Sequence, residues 1–115
     1  MGRIVIAAFK PRPGQQGPLL AVVAKHWCIL QAQGLVTDRP RMVMQAADGT
    51  LLEVFEWRSA QAIEQAHQNP AVLALWAEFE VACEYVPLAS LAESQHPFSE
   101  FDALELSPLP RVARA

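Results

Sequence analysis

Two short apolar runs joined at Asp48-Gly49 constrain the fold of this chain more than any other feature. The run "RMVMQ" precedes this pair and "LLEVFEW" follows it. Asp-Gly between such runs is a strong signal for a β-hairpin, because both residue types tolerate the positive φ that tight turns need. We therefore expect two antiparallel strands here, and the other elements must be arranged around them.

A strand and a helix are predicted before the hairpin. The apolar run "IVIAAF" at residues 4–9 ends in a loop rich in proline and glycine, which is typical of a first strand. Residues 18–33 then carry apolar side chains at helical spacing. Pro18 lies near the start of this helix, and Gly34 stands where a C-terminal cap would be.

A second helix and a last strand are predicted after the hairpin. Ser59 is a suitable N-cap, and the helix that it opens restarts at Asn69-Pro70, because asparagine caps helices and proline is tolerated at the first helical position. A stripe of apolar residues then follows the helical repeat. Residues 85–91 form a short strand, which Pro87 confines to a sheet edge since proline cannot donate to a ladder.

The resulting order, strand-helix-strand-strand-helix-strand, predicts an α+β fold of the ferredoxin-like, split βαβ class. Its sheet has four antiparallel strands with both helices on one face. A chain of 115 residues is long enough for one domain. We place that domain at residues 1–91 and expect residues 92–115 to form a tail that docks through Phe98 and Phe101 on the domain or on a partner.

The hydrophobic pattern of the strands predicts a dimer. The chain is 52% hydrophobic and 18% charged, which leaves little polar surface to cover a monomer. One face of the third strand is apolar apart from the carboxylate of Glu53, and it carries Leu51, Glu53, Phe55 and Trp57. The other face carries Leu52 and Val54, so that neither face is suited to water. A symmetric homodimer with sheet-on-sheet packing is the simplest way to cover the second face.

Composition argues against several classes of partner. The net charge is −3 and lysines and arginines are not clustered, so we expect no nucleic-acid binding. Cys28 and Cys83 lack the spacing of a metal site or a disulfide framework, so we expect no metal and a reducing, cytoplasmic location. No run approaches the roughly 18 apolar residues of a membrane span, so we expect no membrane partner.

The stretch "EVFEWRSAQAIEQAHQNPAVLALW" and the closing "YVPLASL" are similar to the dimeric α/β-barrel proteins of the antibiotic biosynthesis monooxygenase type. The resemblance covers about residues 3–91. Members of that family include cofactor-independent oxygenases of polycyclic phenols, quinol monooxygenases, haem-degrading enzymes and proteins with no assigned reaction. The resemblance implies a cofactor-independent monooxygenase-like oxidoreductase that acts on a small aromatic or quinol.

His67 matches a histidine that often follows the alanine-containing helix in that family, and it is the predicted catalytic base. An imidazole in a pocket between helix and sheet could deprotonate a phenol or hydroquinone near neutral pH. The resulting phenolate can pass an electron to oxygen without metal or flavin. The structural alternative is a histidine that hydrogen-bonds the chain near the break at Asn69-Pro70.

Five further residues are predicted to bind the substrate, each with a structural alternative. Trp57 could form one wall of an aromatic pocket or fill the core. Trp76 and Phe79 lie on the apolar stripe of the second helix. His26 lies in the first helix, where apolar residues occur on more than one side, so the sequence does not show which side is buried. It could also be a surface histidine. Tyr85 could donate a hydrogen bond to a ligand or cover the edge strand.

We expect no cofactor. The first strand has no asparagine, and Trp76 stands where haem-degrading members have the histidine that ligates haem. No glycine-rich phosphate loop follows a strand, which argues against flavin. The alternative to an enzyme is a non-catalytic small-ligand-binding or assembly protein of the same fold, since no pair of ionisable residues with interdependent spacing emerges from the sequence.

Overall fold

The computed structural model describes residues 1–106, which form three α-helices and five strands. The elements follow one another as β1 Arg3–Pro11, α1 Gln16–Ala32, β2 Met42–Gln45, β3 Leu51–Trp57, α2 Ala60–Ala66, α3 Pro70–Ala82, β4 Cys83–Tyr85 and β5 Asp102–Leu104. None of the helices described is long and apolar enough to cross a membrane.

One antiparallel sheet contains all five strands in the order β4-β1-β3-β2-β5. The predicted hairpin joins β2 to β3 and sets their register, in which Gln45 pairs with Leu51. Only Gly49 has a positive φ in the turn, at 94°, while the Asp48 side chain accepts a hydrogen bond from the Thr50 amide at 2.8 Å. The turn therefore needs glycine at position 49 and, at position 48, a short side chain that accepts a hydrogen bond.

The helices pack against one face of the sheet. In β1 to β4 the residues at odd positions point to this face, among them Phe9 in β1 and Phe55 in β3. Phe9 meets Leu19 of α1 and Leu75 of α3 in one buried cluster. The predicted faces of β3 are confirmed, since Leu51, Glu53, Phe55 and Trp57 are all buried on this side.

Side-chain caps explain where the last two helices begin. The Ser59 hydroxyl accepts a hydrogen bond from the Ala62 amide at the start of α2. Asn69 accepts from the amides of Ala71 and Val72, and Pro70 occupies the first turn of α3. What the sequence predicts as one interrupted helix is therefore two helices, α2 and α3, with a capped start each.

The opposite face of the sheet is only half covered. Around Ala8 and Leu52 it packs against Leu91, which follows β4 in the chain. Farther along the same face, Ile4 and Met42 are 60% and 61% exposed. The chain itself therefore covers one half of the second face, whereas apolar side chains on the other half are exposed.

The sheet has five strands, not the predicted four. β5 pairs with β2 through residues 43–45 and 102–104, inside the segment expected to be a docking tail. The triplet "DAL" gives too short a pattern to be recognised as a strand, and its position depends on the free edge of β2. Phe101 packs beside Leu52, whereas Phe98 is 87% exposed. Residues 107–115 of the predicted tail lie outside the described residues.

The last predicted strand is displaced. β4 is Cys83–Tyr85 and lies at the sheet edge, while residues 88–90 and 92–95 form short 3₁₀ helices. The Val86 amide still bonds the Ala8 carbonyl at 3.1 Å. The pairing stops at Pro87 because proline has no amide hydrogen to continue it.

Candidate functional site

A cavity of about 380 Å³ lies between the helices and the sheet. Its volume is at the small end of the roughly 300–1,000 Å³ that is typical of small-molecule sites. Most of its surface is apolar, and six phenylalanine, tryptophan and tyrosine side chains contribute to it. The lining residues are Val5, Ala7, Phe9, His26, Phe55, Trp57, Trp76, Phe79, Glu80 and Tyr85.

His26 is the buried polar group of this cavity, and it belongs to a chain of three charged or titratable side chains. Its Nδ1 lies 2.6 Å from Oε1 of Glu53 on β3. The second oxygen of Glu53 accepts a hydrogen bond from the Arg41 guanidinium at 2.7 Å. All three side chains are at least nine-tenths buried, and Arg41 also donates to the carbonyls of Val23 and Ala24 in α1.

The Glu53 carboxylate orients the imidazole. A carboxylate accepts hydrogen bonds and cannot donate them, so the Glu53 oxygens accept from the Arg41 guanidinium and from His26 Nδ1–H. The other ring nitrogen, Nε2, makes no hydrogen bond within residues 1–106. A neutral imidazole in this tautomer has the Nε2 lone pair available on a ring that lines the cavity, which is the arrangement of a general base oriented by a carboxylate.

Aromatic rings hold His26 in place. Phe79 and Phe55 meet the imidazole edge to face, with ring centroids 4.9 and 5.5 Å away. Because His26 itself is only 5% exposed, the ring cannot turn freely toward bulk water. A ligand that reaches Nε2 must enter the cavity and lose its own water shell.

Glu80 and Tyr85 mark the open end of the cavity. Both side chains are exposed, and Tyr85 is 56% accessible. Partial removal from water, with smaller effects of Cys83 and the Glu80 carboxylate, raises the pKa of Tyr85 to about 12. The phenol therefore stays neutral at physiological pH and can donate a hydrogen bond.

The structure brings together five of the six residues that the sequence singles out. Trp57, Trp76, Phe79, His26 and Tyr85 all line this cavity. His26 is not the surface histidine of the structural alternative. It faces the cavity because Val22, Val23 and Leu30 bury the same side of α1.

His67, the predicted catalytic base, lies elsewhere. It is exposed at the end of α2, and its Nδ1 is 2.9 Å from the carbonyl of Ile63. Its ring packs on Trp76 at 5.0 Å, on the outside of a residue whose indole lines the cavity. This position matches the structural alternative, a histidine that hydrogen-bonds the chain near the helix break, and the catalytic role of His67 stays a prediction.

Three polar residues of the site escape sequence reasoning: Glu53, Arg41 and Glu80. One signal was present for Glu53, because a carboxylate in the middle of an apolar strand face needs a buried partner. Nothing in the spacing identifies that partner, since Arg41 and His26 are 12 and 27 residues away. Within residues 1–106, no three histidine, cysteine or acidic side chains are grouped as metal ligands would be.

Comparison of the chain with models of protein families, with curated proteins and with solved structures gave no match.

Proposed function

We propose that this protein binds a small hydroxylated aromatic or quinol in the cavity and removes its phenolic proton with His26. One observation carries the proposal: a buried imidazole, oriented by the Glu53–Arg41 pair, lines a cavity of aromatic rings, and its Nε2 makes no hydrogen bond within residues 1–106. In this proposal His26 takes the role of base that the sequence assigns to His67.

Charge balance supports proton transfer to His26. Arg41 and Glu53 cancel each other, so the resting site with a neutral imidazole holds no net charge. When the ligand gives up its proton, an imidazolium and a phenolate form together and again cancel. A single buried charge would be costly in this surrounding, whereas an ion pair in contact is tolerated.

We propose further that the bound anion reacts with dioxygen without a cofactor, as the resemblance to antibiotic biosynthesis monooxygenases implies. A phenolate or enolate is electron-rich enough to reduce oxygen by one electron. In a net reaction where one ring C–H of the phenol becomes C=O and the product is a quinone, the substrate supplies all four electrons. One oxygen atom enters the product and the other leaves as water.

Oxygen uptake tests this reaction. With a panel of hydroquinones and polycyclic phenols, the protein should consume oxygen faster than the substrate alone does. His26→Gln should lower the rate by roughly 10²-fold or more, which is the ordinary contribution of a general base. His67→Gln serves as the matched control and should retain the rate, whereas the opposite pattern would return the role of base to His67.

The second candidate function is binding without reaction. It is favoured by the lining of the cavity, where His26 is the one titratable side chain that is buried among the lining residues. Binding of the same aromatics with no oxygen uptake by any of them would select this candidate over the enzyme.

We also propose that the fold is the ferredoxin-like split βαβ and that two copies form a dimeric α/β barrel. The order β4-β1-β3-β2, with helices after β1 and β3, supports the first statement. Exposed apolar residues on the sheet face opposite the helices support the dimer. Ile6 and Met42 both flank Val54 on that face, and they are 48% and 61% exposed.

Sedimentation measurements test the dimer. The wild-type chain should sediment as a dimer at micromolar concentration, and Ile6→Glu should give a folded monomer because it places a charge in the proposed interface. Val81→Glu is the matched control, since Val81 is 68% exposed on α3, away from that face. A monomeric wild-type chain would contradict the proposal.

A further inference from the structure

The cavity has two ends with different electrostatics. His26 lies at the closed end and is 5% exposed, while Glu80 and Tyr85 lie at the open end and are exposed. A ligand with its hydroxyl at His26 and its other end toward the opening extends in the direction of Glu80 and Tyr85.

The Glu80 carboxylate forms no ion pair in the part of the chain that the structure describes. Arg12 donates to the backbone carbonyl of Glu80, but its guanidinium lies 4.0 Å from Glu84. On the other side of Glu80 along the helix, Glu78 is paired with Lys25 at 2.8 Å.

The strand register keeps the nearby charges of β1 and β4 away from the cavity. Phe9 pairs with Tyr85 and points with it toward the cavity, whereas Lys10 pairs with Glu84. Successive side chains of a strand point to opposite faces, so Lys10 and Glu84 lie on the far side of the sheet. Glu80 is therefore the one charged lining residue at the open end.

We infer that Glu80 selects the substrate by the charge of its outward end, and that the cavity takes phenols bearing a cationic or hydrogen-bond-donating substituent and rejects carboxylated ones. This inference rests on the proposed binding of a hydroxylated aromatic with its hydroxyl at His26. An ammonium group at the open end pairs with the Glu80 carboxylate. A carboxylate in the same position meets like charge.

Three phenols of similar size test the selection by isothermal titration calorimetry: tyramine, para-propylphenol and phloretic acid. At the end opposite the hydroxyl, tyramine carries a cation, para-propylphenol carries no charge and phloretic acid carries an anion. At low ionic strength we expect tyramine to bind roughly tenfold or more tightly than phloretic acid, as expected of a charge contact of a few ångström at a solvated site. Added salt should reduce this ratio, because the contact is exposed.

Glu80→Gln should bring the three affinities close together. Glu64→Gln removes the same charge from the exposed surface of α2, outside the cavity lining, and should leave the ratio as in the wild-type protein. An equal affinity of wild-type protein for tyramine and phloretic acid, or a ratio that survives Glu80→Gln, would overturn the selection while leaving the role of His26 intact. If none of the three phenols binds, both the selection and the proposed function are overturned.

Discussion

Removal of Arg41 should destabilise the protein far more than removal of an exposed arginine or lysine. Glu53 is completely buried, and Arg41→Met leaves it with His26 as its single side-chain partner. Breaking a buried ion pair by loss of one partner costs about 3–5 kcal/mol, because the remaining charge stays in the interior uncompensated. For a chain of this size the melting temperature should fall by roughly 10–20 °C.

Urea unfolding followed by tryptophan fluorescence measures this loss. Lys25→Met is the matched control: it breaks the Lys25–Glu78 pair, whose side chains are 43% and 50% exposed, and should cost at most about 1 kcal/mol.

A double variant separates the effect of the unpaired charge from the effect of the lost packing. Arg41→Met combined with Glu53→Leu removes both charges and leaves no carboxylate to be buried alone, so it should be more stable than Arg41→Met by itself. The reasoning is refuted if Arg41→Met costs as little as Lys25→Met, or if the double variant is no more stable than the single one.

Three smaller effects follow from local structure. Asn69→Ala should lower the free energy of unfolding by about 1 kcal/mol in urea titration, because it removes a side chain that accepts from two amides at the start of α3; no loss would contradict this cap. Gly49→Ala should cost about 1 kcal/mol in the same assay, since φ at this position is +94° and alanine is strained there even though the space is open; an unchanged midpoint would show that the turn adapts. Tyr85, the one tyrosine of the chain, should ionise near pH 12 in an ultraviolet absorbance titration, and near 10 when the chain is unfolded in urea; equal values would mean that the ring is not held beside Phe9 and Phe79.

The sequence predicts the central part of the fold because the signals there are local. Asp48-Gly49 marks the turn, Asn69-Pro70 marks the start of α3, and both depend on contacts within a few residues. The period of two in β3 also places Leu51, Glu53, Phe55 and Trp57 on one face, as the structure has them. β5 is a different case, because Asp102–Leu104 becomes a strand only by pairing with the exposed edge of β2.

The sequence predicts the aromatic side chains that line the cavity, but it does not predict the contacts of the polar residues that determine the chemistry of the site. Trp57, Trp76 and Phe79 are recognisable as large aromatics at buried positions, and the structure places them around one cavity. The choice between His26 and His67 depends on tertiary contacts, which the sequence does not contain. His26 acquires its orientation from Glu53 on a strand that is far away in the chain.

The ionisation state of a bound phenol tests the central claim most directly. Para-nitrophenol is titrated with the protein at a pH below that at which it ionises in water, and its absorption spectrum is recorded. The proposed transfer of the proton to His26 predicts the phenolate spectrum for the bound molecule. His26→Gln should bind it in the neutral form, and His67→Gln should behave like the wild-type protein. A neutral spectrum in the wild-type complex, or a phenolate spectrum that persists in His26→Gln, would contradict the account.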